Sequence, residues 1–144
     1  MVTLNKPKIL SLLTQKAALQ RAFPESNGRV RRNRLYWIAE LQPTGISDAY
    51  NIELTYSLEK PPKVFVVSPE LENREGEEIP HRYSDGSLCL YLPRNGEWNS
   101  SMYVSETTVP WICEWLFHYE LWLATGEWLG GGVHPGENKK RIED

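Results

Sequence analysis

His81-Arg82-Tyr83-Ser84-Asp85-Gly86-Ser87-Leu88-Cys89-Leu90-Tyr91-Leu92-Pro93 is the stretch whose reading decides the fold. Its second half alternates: Leu88, Leu90 and Leu92 fall on one side of an extended chain, and Ser87, Cys89 and Tyr91 on the other. With the leucines pointing inward, the expectation is a thiol carried outward at Cys89. Asp85-Gly86 signals a tight turn just before it, because glycine accepts the positive φ such turns need. An outward cysteine is unusual, since the residue packs as a small hydrophobe, and a bare thiol is open to oxidation. Taken alone, the stretch also fits an incidental, partly buried thiol.

The chain around it has the length of one domain, 144 residues, enough for one continuous core. We read residues 1–144 as a single domain, with 137–144 as a solvated, frayed tail. Six Trp and seven Tyr predict an aromatic-rich core. A net charge of −3 argues against a general nucleic-acid binder. Cys89 and Cys113 alone make neither a zinc site nor a secreted disulfide scaffold. No basic-then-apolar leader opens the sequence and no apolar run is long enough to span a bilayer. The expectation is therefore a cytoplasmic protein, with no membrane partner, no metal and no cofactor, whose thiols stay reduced.

Apolar residues at three- and four-residue steps predict a helix over about Pro7–Phe23, with Ile9, Leu10, Leu12, Leu13, Ala17 and Leu19 inward and Gln15 on the polar side. The helix is either a packing helix or a docking helix with a basic rim. Glu25–Asn33 reads as a loop or short edge strand. Arg29, Arg31, Arg32 and Arg34 there are the densest positive cluster in the chain, a solvated face or a phosphate- or acidic-partner site. Period-two alternation predicts strands over Leu35–Leu41 and Tyr50–Leu58, and Pro61-Pro62 is expected to break the second before another begins at Lys63–Val67. Short connections imply an antiparallel meander. Ser68–Ile79 reads as an acidic surface loop. Val109–Thr125 predicts a second helix, N-capped by Thr108 and closed by Gly126. Its stripe of Trp111, Trp115, Tyr119 and Trp122 is expected to pack on the dry face of the sheet, with Cys113 on its flank. Gly130-Gly131-Gly132 matches no phosphate-binding fingerprint. The fold class is α+β.

Read together, Tyr56…Pro61-Pro62-Lys63-Val64, His81, Leu88-Cys89-Leu90 and Trp98 resemble the catalytic core of the ubiquitin-conjugating enzyme family. The likeness extends over about Pro7–Gly126, in order and spacing. More narrowly, His-x-Tyr-Ser-Asp-Gly-Ser-Leu-Cys-Leu-Tyr-x-Pro, with Pro-Trp…Glu-Trp-Leu…Tyr-Glu-x-Trp…Thr-Gly-x-Trp-x-Gly-Gly-Gly, is similar to small bacterial conjugating-enzyme-like proteins of CBASS antiphage operons, encoded beside a cGAS-like nucleotidyltransferase.

The resemblance implies that Cys89 carries an acyl group. It would accept the C-terminal glycine of a ubiquitin-like protein, or of the nucleotidyltransferase, as a thioester and yield it to an amine. An activating enzyme that loads Cys89 is a further implied partner. A rigid platform for a reachable thiolate suits this chemistry. A groove beside Cys89 must hold the tail, with Tyr83, Asp85, Gly86, Ser87, Asn95, Trp98 and Asn99 as candidate substrate-binding residues. The family's His-Pro-Asn turn is replaced here by His81-Arg82-Tyr83, with Pro80 before the histidine. Its asparagine supports an oxyanion, a contribution of about 3 kcal/mol. Tyr83, Asn95, Asn99 or a backbone N–H near Gly86 are the candidate substitutes. His81 is expected to hold the turn, with acid–base work as its alternative. Two competing readings stay open: a non-catalytic module that binds tails or scaffolds a complex, and a cysteine hydrolase pairing Cys89 with His118 or His134 and an acid such as Asp85.

Overall fold

The computed structural model describes residues 8–90 and 98–129. Two helices and one four-stranded sheet appear in the order α1 (Leu12–Ala22), β1 (Asn27–Arg31), β2 (Arg34–Leu41), β3 (Tyr50–Ser57), β4 (Lys60–Ser68) and α2 (Thr108–Thr125). The sheet is an antiparallel meander in the order β1-β2-β3-β4, as the short connections require. Arg31 pairs with Arg34 across a two-residue turn in which Arg32 and Asn33 take positive φ, so Glu25–Asn33 supplies an edge strand and its hairpin.

Alternation locates β2 and β3 correctly because each has one dry side. Leu35, Trp37 and Leu41 of β2 are buried, as are Tyr50, Ile52, Leu54 and Tyr56 of β3. Leu58 departs from its expected place: the strand ends at Ser57 and Leu58 sits half exposed in the turn. Pro61-Pro62 does not separate two strands but lies inside β4. A proline pair is tolerated there because the pairing with β3 slips between Thr55 and Ser57, where Pro61 and Pro62 fall, so their missing N–H groups interrupt no regular ladder.

Helix α1 starts later than the periodicity suggests. Ser11, itself extended, caps it by accepting the Thr14 N–H at 3.1 Å, and Leu10 N–H donates to the Ser100 carbonyl at 3.0 Å instead of entering the helix. Ile9 and Leu13 are exposed, whereas Gln15 is fully buried. Its amide donates to the Met102 carbonyl at 2.8 Å and accepts the Val104 N–H at 2.9 Å, tying α1 to the chain that enters α2.

Helix α2 begins at Thr108, with Thr107 in the cap position and Gly126 closing it at φ 84°. Thr108 is therefore the first helical residue. Ile112, Trp115, Leu116, Tyr119 and Trp122 are buried, while Trp111 is only half-buried. The stripe is held chiefly by the 72–81 connection. Tyr119 Oη accepts the Glu72 N–H at 2.8 Å, Arg74 donates to the Trp122 and Leu123 carbonyls, and Trp115 Nε1 donates to the His81 carbonyl at 2.9 Å. The acidic stretch Ser68–Ile79 is the expected surface loop, exposed at Glu72, Asn73, Glu75, Glu77 and Glu78, yet these bonds tie it to the helix and Ile79 is buried. No helix among the described residues is long and apolar enough to cross a membrane.

Candidate active site

The turn before Cys89 forms as its residues demand. Gly86, at φ 93°, donates its N–H to the Tyr83 carbonyl at 2.9 Å, and Tyr83 N–H donates to the Ser87 carbonyl at 2.8 Å. The Asp85 carboxylate accepts from Ser87 N (2.9 Å) and Ser87 Oγ (2.6 Å) on one oxygen and from Lys63 Nζ (2.7 Å) on the other. The bond from Lys63 first, then those from Ser87, hold the Asp85 carboxyl well below the usual carboxylate range. Lys63 belongs to β4, so this ion pair pins the turn to the sheet edge.

The Cys89 segment does not project a thiol outward. Ser87, Leu88 and Cys89 are all buried, at 2%, 4% and 7% exposure. Leu88 N–H donates to the Val64 carbonyl of β4, and Cys89 N–H donates to the His81 carbonyl, each at 2.9 Å. The segment is thus enclosed by the sheet edge and by the chain anchored to α2. Alternation assigns residues to two sides, but here neither side faces water. Tyr91 and Leu92 lie outside the described residues.

His81 is the junction of this arrangement. It is buried at φ 53°, a left-handed backbone that costs a non-glycine residue of order 1 kcal/mol. Its carbonyl accepts from both Cys89 N and Trp115 Nε1, and its ring packs on Trp128 with centroids 5.0 Å apart. Tyr83 occupies the other flank, its side chain hydrogen-bonded to that of Cys89. Burial, then the Cys89 bond and charge, push the Tyr83 hydroxyl up to about 12. At neutral pH it therefore keeps its proton and can donate.

The backbone N–H groups of Gly86, Ser87, Leu88 and Cys89 are all committed, to Tyr83, Asp85, Val64 and His81. An oxyanion donor from the backbone near Gly86 is thus spent in holding the turn. Asn99 folds onto its own turn, its Oδ1 accepting from Ser101 N and Ser101 Oγ. Trp98 is a core residue, edge-on to Tyr56 at 5.6 Å. Asn95 and His134 lie outside the described residues. His118 packs between Phe117 and Trp128, 3.9 Å from Glu114, with its Nδ1 unpartnered among the described residues. Cys113 is half-buried, and burial pushes its thiol up, away from nucleophilic use at neutral pH.

A cleft of about 570 Å³ runs beside the segment. Its walls include Tyr83, Asp85 and Ser87 from the candidate set, with Leu88 and Leu90 on either side of Cys89 in sequence, and Tyr56, Pro62 and Lys63 opposite. Gly86, Trp98 and Asn99 take no part in it. Lys63 was not singled out for the site by sequence: its meeting with Asp85 follows from the sheet edge reaching the turn, for which no local signal exists. A larger cleft, about 870 Å³, lies between residues 69–73 and α2. Among the described residues neither cleft is lined by Cys89 itself, but only the smaller one carries its neighbours Tyr83, Leu88 and Leu90, whereas Glu120 of the larger one already accepts from Ser47 and Tyr50. Size therefore does not select the site; the cysteine and its tyrosine do.

With this geometry in hand, comparison with known families is informative. A family model described as Type II CBASS E2 protein matches residues 15–135. The chain belongs to that family. It is accordingly a conjugating-enzyme-like component of CBASS antiphage defence, on an α+β fold compatible with an E2. No curated protein matches this E2 chain.

Proposed function

We propose that this CBASS E2 is an acyl carrier. Cys89 attacks the C-terminal glycine carbonyl of a partner protein, delivered as a thioester by an activating enzyme. A C–S bond forms at Cys89, the donor C–S bond breaks, and the departing thiolate takes up the proton released from Cys89. An amine then attacks the new thioester. The C–N bond forms, the Cys89 C–S bond breaks, and the amine's surplus proton returns to the cysteine or to water. The partner that best suits the family resemblance is the cGAS-like nucleotidyltransferase of a CBASS operon, with a ubiquitin-like protein as the alternative.

The observation that supports this reading is Tyr83, which bonds to Cys89 and, with Leu88 and Leu90, lines the cleft beside it. A protonated phenol beside the sulfur supplies a donor for the thiolate or for the oxyanion, in the region where the family's turn has its asparagine and this chain has none. The low exposure of Cys89 favours a second reading, a tail-binding module in which the thiol stays unused.

Intact-mass analysis after co-expression with the neighbouring nucleotidyltransferase separates the two. The carrier gives an adduct labile to thiols or hydroxylamine, absent in Cys89→Ala and retained as an ester in Cys89→Ser. Unmodified protein under every loading condition leaves the binding module.

A further inference from the structure

We propose that the cleft beside Cys89 is a seat for an acidic, extended protein tail, held at its carboxylates by Arg34 and Lys60 and at its backbone by Tyr56. The inference rests on the acyl-carrier reading for the identity of the tail, the segment preceding the acyl donor's terminal glycine.

Charge is the first observation. The chain as a whole is negative, at −3, yet the end of the sheet at this cleft is basic. The β1–β2 turn brings Arg31, Arg32 and Arg34 there, and β4 begins beside them at Lys60. Arg34, Lys60 and Lys63 line the cleft; Asp85, its one acid among the described residues, is paired with Lys63. Neither Arg34 nor Lys60 is ion-paired among the described residues. Glu59, in the β3–β4 turn, is not among the lining residues.

The second observation is a stranded donor. Tyr56, 2% exposed, belongs to the cleft wall, and its hydroxyl has no hydrogen-bond partner among the described residues. Burial pushes its pKa up, so it stays protonated. A buried hydroxyl without an acceptor is costly, and the backbone carbonyl of an extended segment is the acceptor such a segment offers at every residue. The rest of the wall mixes apolar Pro61, Pro62, Leu88 and Leu90 with the hydroxyls of Thr55, Ser57, Ser84 and Ser87, a lining that suits a peptide better than a chain of phosphates. Tyr83, Leu88 and Leu90, the neighbours of Cys89, belong to the same wall, so a tail lying here passes beside the Cys89 segment.

The test uses the full-length Cys89→Ala protein, which binds but forms no adduct, and a short fluorescein-labelled peptide rich in Asp and Glu and ending in a glycine carboxylate. Fluorescence anisotropy is expected to give saturable binding. A peptide with Lys at the acidic positions should bind at least about tenfold more weakly, and so should the acidic peptide to Arg34→Glu/Lys60→Glu. Tyr56→Phe should weaken binding about three- to tenfold with an unchanged circular dichroism spectrum. Equal affinity for the two peptides, indifference to the charge reversal, or displacement by a single-stranded oligonucleotide as readily as by unlabelled peptide overturns the proposal. If wild-type protein forms its adduct while the acidic peptide fails to bind, the seat is wrong and the carrier survives.

Discussion

On its helix side, Cys89 is held through the His81 carbonyl, which Trp115 grips from a stacked aromatic group, with Tyr119 5.8 Å away and nearly parallel and Trp128 at 5.2 Å. On its cleft side the restraint is a polar turn, fixed by an Asp85–Lys63 pair whose side chains are 42% and 54% exposed. The first flank is dry and its bonds are costly to lose; the second is wet, screened by salt and able to yield. Under the acyl-carrier proposal, a site that admits a tail while keeping its nucleophile in register benefits from this division. Rigidity lies behind the sulfur and compliance in front of it.

The dry flank should fail first and furthest. Trp115→Ala removes a buried aromatic and its bond to His81, and should cost about 3–5 kcal/mol in a denaturant titration. Trp115→Phe keeps a ring but loses the Nε1 donor, and should cost about 1–2 kcal/mol. If both variants melt like the wild type, the aromatic helix does not anchor the Cys89 segment.

Next comes the sulfur itself. Because Cys89 is buried, Cys89→Ala trades a packed atom for a small void and should cost about 1 kcal/mol, while abolishing any adduct. The outward thiol expected from alternation implies that the substitution leaves folding nearly unchanged. A variant as stable as the parent would therefore argue for an open sulfur in solution.

That contrast marks what the sequence can disclose. The meander was legible because β2 and β3 each present one dry side and one wetter side, so composition repeats with the backbone's own period. Gly86 and Gly126 were legible because positive φ is a local demand. Gln15 was not: its amide is satisfied by Met102 and Val104, on a distant part of the chain, and periodicity records nothing of such partners. Cys89 failed for a related reason, since both covers of its segment, Val64 and the Trp115–His81 junction, are non-local. The neighbours of the site, Tyr83, Asp85 and Ser87, were named from proximity to the cysteine, and the fold does gather them on one cleft. Nothing local announced that the Tyr83 hydroxyl bonds to the thiol.

Tyr83→Phe probes the wet flank at its catalytic end. Loss of one hydrogen bond should change stability at neutral pH by about 1 kcal/mol or less. Folding raises this phenol from about 10 to about 12, so any stability it contributes is complete below about pH 10 and lost as pH rises toward 12. The wild type should accordingly converge on the variant in alkali. Alkylation of Cys89 at neutral pH should slow, with its pH profile moved upward, since the thiolate loses a donor. An unchanged profile would remove Tyr83 from the chemistry.

The smallest effect belongs to Asp85→Asn. The fold lowers this carboxyl, through Lys63 and then Ser87, so it favours the charged form. The contribution is present above the ordinary carboxylate pKa of about 4 and disappears as pH falls through the depressed folded value. Wild type and variant should therefore differ slightly at neutral pH and become indistinguishable in strong acid, where the wild type is itself protonated. Because both partners of the ion pair are substantially exposed, the neutral-pH difference should also shrink with added salt. Thermal melts across pH at low and high ionic strength read both trends. A difference that ignores salt and persists in acid would mean that the turn is held by the Ser87 bonds and by packing. The cleft side of Cys89 would then be as rigid as the helix side.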